Sequence, residues 1–156
     1  MPEIETLGFQ TIDKARRFTG SVHLQGSNLV SSELGAVGTG AYTATIPSLL
    51  VNLNLGFASG VNVMVLHGYP YSGPYVDTNW PGFTALSFTY QEQWGERQPA
   101  WRHFKDTMDY TARSSLVTQT GVAKVDLAFY CAEFAEQQSE IYPGAALRSA
   151  GIFTVN

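Results

Sequence analysis

The most strongly patterned stretch of the chain is an apolar run, Val61-Asn-Val-Met-Val-Leu66, that stops at His67 and gives way to Gly68-Tyr-Pro-Tyr-Ser-Gly73 and then Asn79-Trp-Pro-Gly82. A short run rich in β-branched residues and bounded by turn-forming ones predicts a buried strand. Upstream, Thr45 followed by Pro47 supplies a hydroxyl cap and a first-turn proline. Leu49, Leu50, Leu53 and Phe57 then recur on one helical face until Gly60 stops the helix. Before this, Leu29 and Val30 predict a strand leading into small residues around Glu33, with Gly35, Gly38 and Gly40 forming the connection. Strand, helix and strand from Glu33 to Val61 make a βαβ crossover, so the expected fold class is α/β with a parallel sheet of βα units.

The same reading predicts a short helix over Asp13–Phe18, with Ile12, Ala15 and Phe18 on one side and Gly20 as its stop. Residues 1–11 carry little signal. From His67 to Gln98 the chain has the character of a loop of about 30 residues, long enough to suggest a functional role. Pro99 opens a helix in which Trp101, Phe104, Met108, Ala112 and Ser115 or Leu116 keep the helical period until Gly121, and a third strand is expected over Val122–Tyr130. Past Tyr130 the pattern weakens: a short helix over Ala132–Gln138, a Tyr142-Pro-Gly turn and a strand-like run at Ile152–Val155.

In parallel α/β folds ligands gather at the carboxyl ends of the strands. His67, Tyr69, Tyr71, Asp77, Asn79 and Trp80 fall there, as does Glu33 at the end of the preceding strand. The loop is aromatic, with Trp80, Tyr71 and Trp94 suited either to stacking on the apolar face of a pyranose or to forming a small core of their own. His67 is suited to binding a sugar hydroxyl, to shuttling a proton, or to a plain hydrogen bond at a strand end.

Composition narrows the picture further. With 156 residues, 44% of them apolar and 14% charged, the chain is long enough for one domain with its own core. A net charge of −4 without a basic run argues against nucleic acid as a partner. No apolar run approaches a membrane span, and the N-terminus lacks the pattern of a signal peptide, so no membrane partner is expected. The single cysteine, Cys131, leaves no intramolecular disulfide or cysteine metal cluster. No Asn-x-Ser/Thr acceptor occurs, and the localisation stays open.

Several segments together carry a resemblance: Ser31-Ser-Glu-Leu-Gly-Ala36, Ala58-Ser-Gly-Val-Asn-Val-Met-Val-Leu-His67 with its Gly-Tyr-Pro-Tyr-Ser-Gly continuation, Asn79-Trp-Pro-Gly82, Arg97-Gln-Pro-Ala-Trp101 and Lys124-Val-Asp-Leu-Ala-Phe-Tyr130. Over residues 14–130 the chain resembles the catalytic region of large fungal secreted glycoside hydrolases similar to the α-L-rhamnosidases of glycoside hydrolase family 106. The resemblance implies a (β/α)₈ catalytic barrel, inverting hydrolysis and a calcium ion that helps hold the sugar. A full barrel needs about 200 residues or more. The chain is therefore expected to supply a partial, truncated barrel of some three βα units.

Inverting hydrolysis uses two carboxyl groups roughly 6.5–9.5 Å apart, one acid and one base. Glu33 is the first candidate, as acid-base group or calcium ligand, and the partner is expected upstream of this chain. Local substitutes are Asp77, Glu92, Glu96 and Asp126, of which Asp126 interrupts a strand. No contiguous acidic loop supplies the six or more oxygens calcium requires. The resulting expectation is a glycoside-hydrolase-derived enzyme acting on a glycoside or sugar-like small molecule. The alternatives are a non-hydrolytic binding or biosynthetic protein, such as a cyclase or isomerase, and an inactive carbohydrate-binding remnant. Hydrolysis of simple aryl rhamnosides by the isolated chain is expected to be weak or absent. Unpaired sheet edges predict self-association as a homodimer.

Overall fold

In the computed structural model, residues 1–5, 12–36, 43–69, 94–96 and 98–124 are described. They form a three-stranded, wholly parallel sheet in the order β1 (Glu3–Glu5), β2 (Ser31–Leu34), β3 (Val63–Leu66). Helix α1 (Ile12–Leu24) links β1 to β2, α2 (Ile46–Ser59) links β2 to β3, and a 3₁₀ segment, Pro99–His103, leads into α3 (Phe104–Gln119). The fold class is α/β, and the parallel βαβ crossover read from the sequence is present.

Helix α2 forms where the sequence marks it. Thr45 is the N-cap, its hydroxyl accepting from the Ser48 amide while the Ser48 hydroxyl accepts from the Thr45 amide, a reciprocal capping box. Pro47 sits in the first turn, and Gly60, in the left-handed conformation, donates its amide to the Gly56 and Phe57 carbonyls. Leu49 and Leu53 are buried against the sheet, each worth about 1.5–3 kcal/mol of apolar transfer.

The sheet's two faces are unlike. Register places Ile4, Ser32 and Met64 on one face, with Leu34 and Leu66 one pleat further on. This face takes both crossover helices. Ile4, Val30, Val61 and Met64 pack with Ala15, Phe18 and Val22 of α1, while Leu34, Leu66 and Met64 pack with Leu49 and Leu53 of α2 and with Trp94 and Phe104. The Arg16 guanidinium donates to the Ala58 carbonyl and ties the two helices together. The opposite face carries Glu3, Glu5, Ser31, Glu33, Val63 and Val65. Val65 is 40% exposed, so β3 is half-buried rather than the fully buried strand expected.

Three other expectations shift. Helix α1 continues through Gly20 to Leu24, because Val22 enters the core and that burial exceeds the roughly 1 kcal/mol a helical glycine costs. Strand β2 begins at Ser31 rather than at Leu29, where pairing starts: the Ser31 amide donates to the Pro2 carbonyl. In α3 the buried residues are Phe104 and Thr107, with Met108 packed beside them, whereas Leu116 is 68% exposed. Phe104 is flanked by Trp94, at 5.2 Å between centroids, and by a stacked Trp101 at 4.9 Å.

At the amino ends of β2 and β3 a buried amide locks the layers. Asn62 Oδ1 accepts from the Val30 amide at 3.1 Å, its Nδ2 donates to the Asn28 and Thr118 carbonyls, and its own carbonyl accepts from Gln119 Nε2 at 2.7 Å. Asn28 Nδ2 in turn donates to the Gln119 carbonyl. Val122–Lys124 are not in a strand, and the rest of the predicted third strand lies outside the described residues, as do the elements expected after it.

Candidate active site

The carboxyl ends of the three strands bring together Glu5, Glu33 and His67. Glu5 is the last residue of β1 and stands in register with Glu33, the penultimate residue of β2. Neighbouring strands lie about 4.8 Å apart, so two in-register side chains on one face stand side by side. His67 directly follows β3 and extends the ladder, its amide donating to the Leu34 carbonyl at 2.9 Å.

The charges here work against one another. A hydrogen bond joins the Glu5 and Glu33 carboxyls, and it is the leading reason the Glu33 pKa is raised above the ordinary carboxylate value. Partial burial raises it further, as does the negative charge of Glu5 and, more weakly, of Glu3; His67 acts in the opposite sense. Glu3 lies two residues earlier on the same face and accepts a hydrogen bond from the Ser31 hydroxyl at 3.2 Å. His67 Nδ1, beside the carboxyl pair, is buried and has no hydrogen-bond partner among the described residues.

Of the residues singled out in the sequence, Glu33 and His67 share this strand-end position, and Tyr69 lies just beyond, 64% exposed. Trp94 is a core residue at 3% exposure. Its indole N–H donates to the Gly35 carbonyl at 3.2 Å, and its ring packs on Phe104, the core role that the sequence left open beside sugar stacking. Glu96 is exposed. Tyr71, Asp77, Asn79, Trp80, Glu92 and Asp126 lie outside the described residues.

The sequence reading missed Glu5. A Glu-Ile-Glu triplet is too short to show alternation on its own, and it becomes a strand only through pairing with β2. The available signal was Ile4 between two charges, the pattern of a strand with one buried face.

Calcium would need six or more oxygen ligands. Among the described residues no group of three or more His, Cys, Asp or Glu side chains is placed to hold a metal ion. The described residues therefore do not fit the ion, and no step below is routed through it. Among the same residues no helix is long and apolar enough to cross a membrane. Away from the strand ends, a shallow groove of about 410 Å³ runs between α2 and α3, lined by Phe57, Tyr110, Arg113 and Val117 among others, with no carboxylate among its described lining residues.

No curated protein and no solved structure matches the chain. One family does, by its sequence model: the family described as alpha-L-rhamnosidase, glycoside hydrolase family 106, over residues 4–148. That span takes in β2, β3 and all of β1 but its first residue, with the Glu5 and Glu33 carboxylates, and the chain belongs to this glycoside hydrolase family.

Proposed function

We propose that the chain acts on a glycoside by carboxylate acid-base chemistry, with Glu33 as the proton donor to the leaving-group oxygen. The observation that carries this reading is the Glu5–Glu33 hydrogen bond at the carboxyl ends of parallel strands, beside His67. A general acid must hold its proton at a pH where an ordinary carboxyl has lost it, and a like-charged neighbour with partial burial is the usual means. Sequential strand order with both crossover helices on one face supports the reading of these units as part of a (β/α) barrel. In such a barrel the face bearing Glu5 and Glu33 is the inner one. His67, whose Nδ1 has no partner among the described residues, is the hydrogen-bonding group for a sugar hydroxyl.

The opposing carboxylate needs a separation of roughly 6.5–9.5 Å for inversion, and Asp126 is the sequence candidate for it. Tyr69, Tyr71, Asp77, Asn79 and Trp80 follow the same strand end and are assigned to the sugar pocket. An L-rhamnoside is the substrate class that the family supports.

The test is a series of aryl α-L-rhamnosides with leaving groups of decreasing acidity, followed over long incubations because turnover by this chain is expected to be slow. Loss of a general acid costs about 10²–10⁴-fold where the leaving group needs a proton. Glu33→Gln should therefore suppress phenyl rhamnoside hydrolysis and largely spare the dinitrophenyl compound. An equal loss across the series, or none, removes Glu33 from the acid role. Saturable rhamnose binding without turnover of any member points instead to the non-hydrolytic reading.

A further inference from the structure

Two carboxyls joined by a hydrogen bond cannot serve as the two opposed groups of glycoside hydrolysis, which stand at least about 5 Å apart in either stereochemical course. Glu5 and Glu33 touch because the β1–β2 register sets them side by side on one face. That register is itself fixed from both sides of β1: Ile4, between Glu3 and Glu5, is buried on the helical face, and the Ser31 amide and hydroxyl both bind the Pro2 carbonyl while the hydroxyl also holds Glu3. A one-residue slip of β1 would put Ile4 on the polar face and Glu3 and Glu5 into the core. The backbone therefore holds Glu5 against Glu33.

Building on Glu33 as the acid, we propose that Glu5 is its positioning residue: the two carboxyls act as one group holding a single proton, on one side of the scissile bond. Among the described residues the charged groups around Glu33 are Glu3 and Glu5 from β1 and His67 from the end of β3. Glu3 is engaged with Ser31, and His67 favours the ionised form, so among these three Glu5 is the neighbour that both accepts the Glu33 proton and repels its charge. Glu5→Gln removes the repulsion, since the amide carries no charge, and offers the ionised Glu33 a donor.

The experiment follows the side-chain carboxyl carbons of the full-length chain by ¹³C NMR through a pH titration, in the wild type, Glu5→Gln and Glu5→Asp. In the wild type the two carboxyls should titrate as a coupled pair. Glu5→Gln should shift the Glu33 midpoint downward, while Glu5→Asp, which keeps the charge but draws the carboxyl back by one methylene, should leave it in between. In the aryl rhamnoside assay the alkaline limb of the kcat profile should move toward lower pH in the same order, with KM little changed. An unchanged Glu33 midpoint in both variants overturns the proposal, whatever the activity. A midpoint that shifts in a protein without turnover in any variant keeps the shared proton, removes the acid role from Glu33 and takes the positioning role of Glu5 with it.

Discussion

Gly35 follows β2, has φ +82°, and receives the Trp94 indole on its carbonyl. A Cβ at this position would lie 2.6 Å from Trp94 Nε1 and 3.2 Å from Cε2. Gly35→Ala thus combines two costs that other glycines separate. At Gly26, φ is +75° and nothing lies within 4 Å of an added Cβ, so Gly26→Ala reports the backbone cost alone, about 1–2 kcal/mol. At Gly20, inside α1, nothing lies within 4 Å either, and alanine should stabilise by about 0.5–1 kcal/mol. Gly35→Ala adds to the backbone cost an overpacking of about 1–3 kcal/mol, since Trp94 is 3% exposed and wedged against Phe104. It also strains the indole hydrogen bond, worth about 1 kcal/mol. Its total of about 3–6 kcal/mol is a large share of the 5–15 kcal/mol typical of a domain. Urea unfolding of the three variants, read by tryptophan fluorescence and near-ultraviolet circular dichroism, orders them directly. If Gly35→Ala unfolds at the same urea concentration as Gly26→Ala, the close fit of Trp94 over Gly35 is wrong.

Asn62→Ala should cost about 3–4 kcal/mol in the same assay, because it removes the acceptor of the fully buried Val30 amide together with two donated bonds; a loss below about 1 kcal/mol would mean the amide contacts are not held in solution. Because the folded-state pKa of Glu33 is raised, the shared proton stabilises the fold fully below the unfolded pKa, and that contribution is lost as pH rises through the folded value. Wild type should therefore gain on Glu5→Gln in acid and lose that advantage toward neutral pH, whereas a pH-independent difference would contradict the sign. Among the described residues β1 and β3 are the edges of the sheet, so we propose that the chain self-associates; a monomer mass by light scattering at every concentration above micromolar would refute it.

Legibility in the sequence followed how local the deciding interactions are. Helix α2 was readable end to end because Thr45, Pro47, the Leu49–Leu53 line and Gly60 act within the helix itself. His67 was readable as a strand-end group because it closes an apolar run, and Glu33 because it follows Leu29 and Val30 just before the Gly35 turn. Glu5 was not, because β1 owes its existence to β2, a partner distant in sequence, and its charged ends look like solvent-facing polar residues until the register is known. The inner face of α3 was misjudged for a related reason. Thr107 is buried and Thr111 half-buried, with the Thr111 hydroxyl satisfied by the Thr107 carbonyl at 2.8 Å, so the packed line contains polar residues that a search for apolar period passes over.

The amide clasp at the amino end of the sheet also fixes an order of assembly. Asn28 is 91 positions from Gln119, and Asn62 is 57 from it, whereas the β2–α2–β3 crossover is closed by the Val30–Asn62 contact at a separation of 32. Loop-closure entropy favours the shorter closure, so the crossover is expected to form first and α3 to dock onto it afterwards. During synthesis Asn62 emerges well before its partners on α3, and until they arrive its second donor is left to water. Breaking the α3 side of the clasp should then speed unfolding while leaving refolding nearly unchanged, which places the α3 docking among the late, low-φ contacts that govern the protein's lifetime rather than its rate of formation.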